Sequence, residues 1–234
     1  MTDSHIHIGQ FREKYYDFDK IFDIVFGSGK IDKIVYSSTS SCIDNIEYGF
    51  IFKEIEKAQK KYSDVTIPLF WFIPDYIRQG IKIETAMNEL DYGGFKLHPY
   101  GNKWDFENDG KHLEILHKVF DYADRRNFPI LIHTGENGSD RPSRFERFFG
   151  EYKNAKIILA HCRPVNETIK MLKKYPNVFC DTAFASETSV DKIIDAGFAD
   201  RILFGTDFPI THYFYEKNGV GMKEQYYRTT KKEL

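Results

Sequence analysis

A chain of 234 residues with 33 basic and 35 acidic side chains, formal charge −2, carries no field that would draw it to nucleic acid or an anionic membrane. Hydrophobic residues at 41% and charged residues at 29% are ordinary for a folded domain, whereas 16% aromatic is rich, so rings are expected in the core and in pocket walls. Three cysteines, Cys42, Cys162 and Cys180, lack the spacing of a disulfide framework or a cysteine metal cluster. No apolar run approaches the roughly 20 residues that span a bilayer, and the polar start enters a strand at once, so neither membrane helix nor signal peptide is expected. A cytoplasmic protein is the expectation. The final Lys231-Lys232-Glu233-Leu234 loosely resembles a retrieval signal and is read as chance.

In chain order, short β-branched or aromatic runs alternate with stretches of helical period, the pattern of parallel strands joined by helices. The first strand covers 2–8 and contains Asp3-Ser4-His5-Ile6-His7. Gly27-Ser28-Gly29-Lys30 has the look of a phosphate loop but follows a helix and lacks its first glycine, so it reads as a helix stop. A second strand at 33–38 leads to a helix at 46–62 begun by Asp44, and a third at 66–73 carries Trp71 and Phe72. The fourth, 93–98, ends in Lys96-Leu97-His98-Pro99 with Tyr100 and Trp104 in the loop beyond. Asn108-Asp109 opens a helix at 111–126 whose Leu113, Leu116, Phe120 and Ala123 form one apolar stripe. Strands at 129–133 and 155–161 end in His133 and His161, and Val165, Ile169 and Leu172 mark a helix closed by Tyr175-Pro176. Strands at 177–182 and 201–207 complete a set of eight, the last ending in Gly205-Thr206-Asp207. The expected fold is one (β/α)8 TIM-type barrel over residues 1–234, its final helix shortened by a brief tail from Tyr213 that carries Gly219 and Gly221.

Chemistry collects where such a barrel places it, at the C-terminal ends of strands. Period two on the first strand aims His5 and His7 at one point, the geometry that holds a divalent ion. Lys96 and His98 share a face of the fourth strand, and His133, His161 and Asp207 end three others. Asp3 and Asp181 read as structural hydrogen-bonding groups. Arg163, after His161, carries a guanidinium fork suited to a carboxylate; its alternative is a surface ion pair, as for Arg141 and Arg144. His112, His117 and His212 read as surface residues.

Asp3-Ser4-His5-Ile6-His7, Gly94-Phe95-Lys96-Leu97-His98-Pro99, Ile130-Leu131-Ile132-His133-Thr134, Leu159-Ala160-His161-Cys162, Asn177 to Thr182 and Phe204-Gly205-Thr206-Asp207-Phe208-Pro209 together resemble the amidohydrolase superfamily of metal-dependent hydrolases. The likeness is to its compact branch, which also holds aminocarboxymuconate-semialdehyde-type decarboxylases. It implies that His5, His7, His133 and Asp207 bind the metal, with His161 close by as a catalytic group, Asp207 as proton shuttle, and Lys96, His98 and Arg163 lining the substrate site. Imidazole and carboxylate donors suit zinc, with manganese, nickel or iron as alternatives, and three or four protein ligands leave room for water. One ion is favoured over two; in two-metal relatives a carboxylated lysine or a glutamate bridges the pair, and Lys96 stands where such a bridge would. A chain that starts in its first strand and ends about 27 residues after its eighth leaves no room for the β-sandwich that flanks many relatives.

The expected reaction is hydrolysis of an amide, lactone or ester of a small molecule by metal-activated water. The alternatives are nonoxidative decarboxylation of an aromatic or unsaturated acid, a related barrel nuclease, and a catalytically silent barrel that binds metal or metabolite. Lys96 in place of a middle-strand acid and the absent basic field speak against the nuclease. The expected partner is a small-molecule substrate, with no nucleic acid and no membrane, and a homo-oligomer stays open.

Overall fold

The structure, a computed structural model, describes residues 1–216 and 219–232. Its strands are β1 (Thr2–Phe11), β2 (Lys14–Tyr16), β3 (Lys33–Ser38), β4 (Thr66–Pro68), β5 (Phe70–Trp71), β6 (Phe95–Leu97), β7 (Pro129–Ile132), β8 (Lys156–Leu159), β9 (Val178–Asp181) and β10 (Ile202–Leu203). β1, β3 and β4 form one parallel ladder, with β2 folded back antiparallel on the end of β1, and β5 to β10 form a second in sequence order. Backbone hydrogen bonds join the two ladders into a ring. At one seam Leu69, between β4 and β5, donates to Tyr36 O at 2.7 Å; at the other, Ser4 donates to Phe204 O at 2.9 Å, Asp207 to His5 O at 2.8 Å and His7 to Phe208 O at 2.8 Å. β4 and β5 together fill the third place, so the ring has eight positions, as the alternation of the sequence predicts.

The third to the eighth strands are all shorter than expected, and the third and the eighth differ in kind as well as in length. The third breaks at Leu69, directly after Pro68, which has no N–H to give a ladder. The eighth ends its ladder at Leu203, and the chain runs on beside β1 through backbone bonds at Phe204, Asp207 and Phe208, with Asp207 at a φ of 53°.

Helices cover the ring in the expected alternation: Phe18–Phe26, Tyr48–Tyr62, Ile83–Glu89, Gly110–Arg126, Glu146–Glu151, Val165–Lys174, Glu187–Asp195 and Met222–Lys232, with shorter turns between. Asp109 caps Gly110–Arg126 by accepting from the Lys111 and His112 amides at 2.8 and 3.4 Å. Asp44 does not begin its helix: it pairs with Lys103 at 2.8 Å, while the Tyr48 amide donates to Gln79 Oε1 at 2.9 Å. The Gly27 segment closes Phe18–Phe26, with its amide on Asp23 O at 2.9 Å. The last helix, at 11 residues, is shorter than the 15 of Tyr48–Tyr62 and the 17 of Gly110–Arg126. It still closes the wall against the first: Lys30 Nζ reaches Thr230 O at 3.1 Å, and the buried Tyr226 donates to Asp3 Oδ2 at 3.0 Å. The end of the Lys-Lys-Glu-Leu tail, residues 233–234, lies outside the described residues.

The core has two parts, set by strand alternation. Outward-facing residues such as Ile130, Ile132 and Ile157 pack with Phe120, Phe148 and Phe149 of the helices, and Leu69, Leu131 and Ala160 form a separate small cluster with Val35 and Ile158. Leu131 shares its face with His133, so this second cluster plugs the barrel beneath the site. Among the described residues no helix is long and apolar enough to cross a membrane.

Candidate metal centre and active-site pocket

At the C-terminal mouth, β1 presents His5 and His7, both nearly fully buried, toward Asp207 from the last barrel position. His5 Nε2 lies 3.5 Å and His7 Nε2 2.9 Å from the same oxygen, Asp207 Oδ1. One of the two tautomers is fixed by its surroundings. Asp181 Oδ2, 2.8 Å from His5 Nδ1, accepts only, so that Nδ1 carries the proton and His5 Nε2 presents a lone pair. His7 Nδ1 has two neighbours from Ser37, the hydroxyl at 3.2 Å and the carbonyl at 3.3 Å; the hydroxyl can donate as well as accept, so His7 Nε2 either donates to Asp207 or presents a second lone pair. With both protons on Nδ1, two lone pairs and a carboxylate oxygen meet at one point, a set that a divalent cation satisfies. Burial alone would raise the Asp207 carboxyl, yet His5 and His7 hold it well below the usual carboxylate range. The Lys96 ammonium marks the same point, donating to His5 Nε2 at 3.2 Å. Imidazole, imidazole and carboxylate fit a borderline divalent metal such as zinc.

Two neighbouring groupings of histidine and carboxylate do not fit. In His5, His161 and Asp181, the carboxylate takes the His5 Nδ1 proton and, through Oδ1, the His161 amide at 2.8 Å, so it is an outer support rather than a ligand. In His98, His133 and Asp140, His98 Nδ1 accepts from the Gly101 amide at 3.1 Å, which puts the His98 proton on Nε2 and leaves no lone pair to give. Its ring also lies flat on that of His133, centroids 3.9 Å apart, so their nitrogens do not converge.

His133, the expected fourth ligand, stands beside the trio of His5, His7 and Asp207 and not within it. Its Nδ1 donates to His161 Nε2 at 2.9 Å, since His161 Nδ1 is committed to Ala183 O at 2.7 Å. His133 Nε2 then faces the cavity, with Asp140 Oδ2 3.9 Å away. His161 is buried behind it. Burial drives His5, His133 and His161 below the usual imidazole range, with the Lys96 charge adding to the effect, which agrees with neutral rings. Asp181, pushed up to about 6 by burial and drawn back by His161, also accepts the Ala183 amide at 3.2 Å. Asp3 braces the seam, taking the Thr206 hydroxyl at 2.8 Å and the Tyr226 hydroxyl at 3.0 Å. Four residues at the mouth, His161, Cys162, Phe184 and Asp207, have positive φ between 50° and 72°, a concentration of strain of the kind found where side chains are aimed at a site.

Above the trio opens a cavity of about 390 Å³. His7, Asp207, Lys96, His98, His133 and Arg163 supply its polar surface, and Phe11, Trp71, Phe184, Ile210, Phe214 and Tyr215 its apolar walls. Asp207 is the one carboxylate among them. Arg163 lies against Phe184 and donates to Thr134 O at 3.4 Å, and no carboxylate among the described residues comes within 4.0 Å of its guanidinium or of Lys96 Nζ. Arg141 and Arg144 are engaged elsewhere, with Glu167 and Glu107. Of the four aromatics expected as walls only Trp71 is one: Tyr100 is 64% exposed, while Trp104 and Phe72 are core. His212, expected at the surface, is buried against Gln225 at 2.7 Å, because its helix Ile210–Tyr215 folds down over the mouth. Phe11, Phe184 and Phe214 escaped notice in the sequence because loop aromatics carry no periodic signal.

The fold agrees with comparisons to known proteins. Solved structures that superpose include an amidohydrolase II (16% identity, 89% of this chain and 87% of the other, TM-score 0.59) and the dihydroorotase of Campylobacter jejuni (15%, 88% and 68%, TM-score 0.52). The N-acetylneuraminate lyase of Mycoplasma synoviae also superposes (11%, 99% and 79%, TM-score 0.59), and at such identities these likenesses speak for the barrel alone. No curated protein matches. The amidohydrolase family model matches residues 55–233, most of the chain, and the chain therefore belongs to the amidohydrolase family, an enzyme of the metal-dependent amidohydrolase superfamily.

Proposed function

We propose that the protein hydrolyses an amide, lactone or ester bond of a small molecule, with one divalent ion, zinc by preference, held by His5, His7 and Asp207. The observation that carries this reading is the convergence of both Nε2 atoms and a carboxylate oxygen on one point, with the His5 lone pair turned inward by Asp181. When bound, the ion acts as a Lewis acid and lowers the pKa of water from 15.7 to about 7. Asp207 takes the proton of the attacking water at its carboxylate and delivers it to the leaving group. His133 presents its bare Nε2 to the cavity, and His161 holds that ring in place by accepting from Nδ1. Lys96 and Arg163, which have no carboxylate partner within 4.0 Å among the described residues, face the cavity to meet developing or resident negative charge on the substrate. The apolar walls exclude bulk water and strengthen each of these contacts.

A second reading, nonoxidative decarboxylation, draws on the same two cations, which would hold a substrate carboxylate. Metal-replete enzyme assayed against panels of lactones, amides and esters, and against aromatic acids with carbon dioxide followed separately, chooses between them. Turnover of an acid with carbon dioxide release and no hydrolysis in any panel would overturn the hydrolase reading. Asp207→Asn should fold and lose turnover; retention of full activity would overturn both.

A further inference from the structure

We propose that His98 is a fixed hydrogen-bond donor to an acceptor oxygen of the substrate, and that Asn102 is the residue that positions it. The reading of the metal trio gives no account of His98, whose ring lines the cavity without joining the convergent set. The backbone settles its chemistry. The Gly101 amide can only donate, and it points at His98 Nδ1 from 3.1 Å, so the imidazole proton sits on Nε2. Burial and the nearby Lys96 charge hold this ring neutral. A neutral ring with its proton on the free nitrogen can neither bind metal nor act as a base there; it can donate to a carbonyl, carboxylate or ester oxygen.

The donor is locked in place by flat contacts on both faces. Trp71 lies parallel to it at 5.8 Å with 10° between planes, and His133 at 3.9 Å with 11°. Trp71 in turn is set by one hydrogen bond, from its Nε1 to Asn102 Oδ1 at 2.8 Å. Asn102 Nδ2 donates to Ser41 O at 2.8 Å, and its own amide donates to His98 O at 3.0 Å. One side chain therefore ties together the loops after the second, third and fourth barrel positions. Gly101 is part of the lock: a Cβ there would stand 3.1 Å from His98 Nδ1 and 3.3 Å from Cys42 Sγ, so alanine would press on the ring.

The test is spectroscopic first, and independent of the reaction. Long-range proton–nitrogen correlation spectra of zinc-loaded and chelator-treated protein, with His98 assigned by the signals lost in His98→Gln, should show a bare Nδ1 and a protonated Nε2. A bare Nε2, or an imidazolium at pH 7, overturns the proposal. Asn102→Ala should move the Trp71 indole signal and turn the His98 pattern into a mixture of states. Unchanged His98 and Trp71 signals in a folded Asn102→Ala protein overturn the positioning role. With any substrate turned over, His98→Ala should raise KM about 3- to 10-fold, and His98→Gln, which keeps an N–H, should recover most of it. Equal KM in His98→Ala and wild type overturns the substrate contact. A wild-type protein free of metal would end the hydrolase reading yet leave the His98 spectrum to decide this one.

Discussion

Asp181→Asn is the substitution that tests the tautomer argument at its root. Asp181 accepts three hydrogen bonds on two oxygens: His5 Nδ1 on Oδ2 at 2.8 Å, and the amides of His161 and Ala183 on Oδ1 at 2.8 and 3.2 Å. Asparagine has one oxygen. If that oxygen stays with the two amides, its NH2 faces His5 Nδ1, which must shed its proton and accept; the proton moves to Nε2 and the lone pair aimed at Asp207 is gone. Loss of such an outer support costs about 10- to 100-fold in metal affinity, or ~1.4–2.7 kcal/mol. The fold should lose less, under ~2 kcal/mol, because the amides keep their acceptor. Zinc affinity read by competition with a chromophoric chelator, beside urea unfolding of the metal-free protein, separates the two. Asp181→Ala is the control: it strands two buried amides and should destabilise the fold by ~1–3 kcal/mol for each. Zinc affinity within threefold of wild type in Asp181→Asn would refute the claim that Asp181 sets His5 as a ligand.

Elemental analysis of untagged protein should find about one ion per chain, close to none in His7→Ala or Asp207→Asn, and an undiminished ion in His133→Ala, because His133 lies outside the group in which His5, His7 and Asp207 converge; loss of the ion in His133→Ala would restore it as a ligand. Chelation should lower stability, since the ion binds the folded state alone: at free metal 100 times the dissociation constant the loss is about 2.7 kcal/mol, roughly 5–11 °C in Tm for a chain of this size, measured by thermal unfolding with and without chelator. Gly9→Ala should destabilise by more than ~1 kcal/mol without changing ion content, because Gly9 has a φ of 89° and its Cβ would stand 2.6 Å from both Ser38 Oγ and Ser40 Oγ; an unfolding free energy equal to wild type would contradict this.

The strands were legible because parallel strands such as β6 and β7, buried along most of their length, read as short apolar runs, while the helices betray themselves through stripes such as Leu116, Phe120 and Ala123. His5 and His7 were legible for the same geometric reason: alternation is a property of the strand itself. What one sequence conceals is the partner of each ring nitrogen. Ala183 O and the Gly101 amide are backbone groups with no residue identity to read, yet they decide that His161 presents a lone pair to His133 while His98 presents a proton to the cavity. The hydrogen bonding of His133 was hidden for that reason. The strand end brings it to the mouth, but its hydrogen bond to His161 depends on how the chain turns after β8, where His161 and Cys162 take φ of 72° and 50°. Asp140 and Asn102 went unnoticed because they sit on irregular turns.

The ladder bond count explains why the trio stands where it does. β9 and β10 share only the pairs Cys180 with Ile202 and Asp181 with Leu203, and between β10 and β1 the ring is held by single hydrogen bonds around Ser4, His5 and His7. The groups that close this seam are those that converge at the site: the Asp207 amide rests on His5 O, and the His7 amide on Phe208 O. Asp3, with Thr206 and Tyr226, clamps the same junction from the far side. A cation shared by His5 and His7 on one side and Asp207 on the other spans that seam directly. Binding and barrel closure then draw on one set of residues, so a substitution that loosens the junction between the first and last positions weakens metal binding even when no ligand is touched.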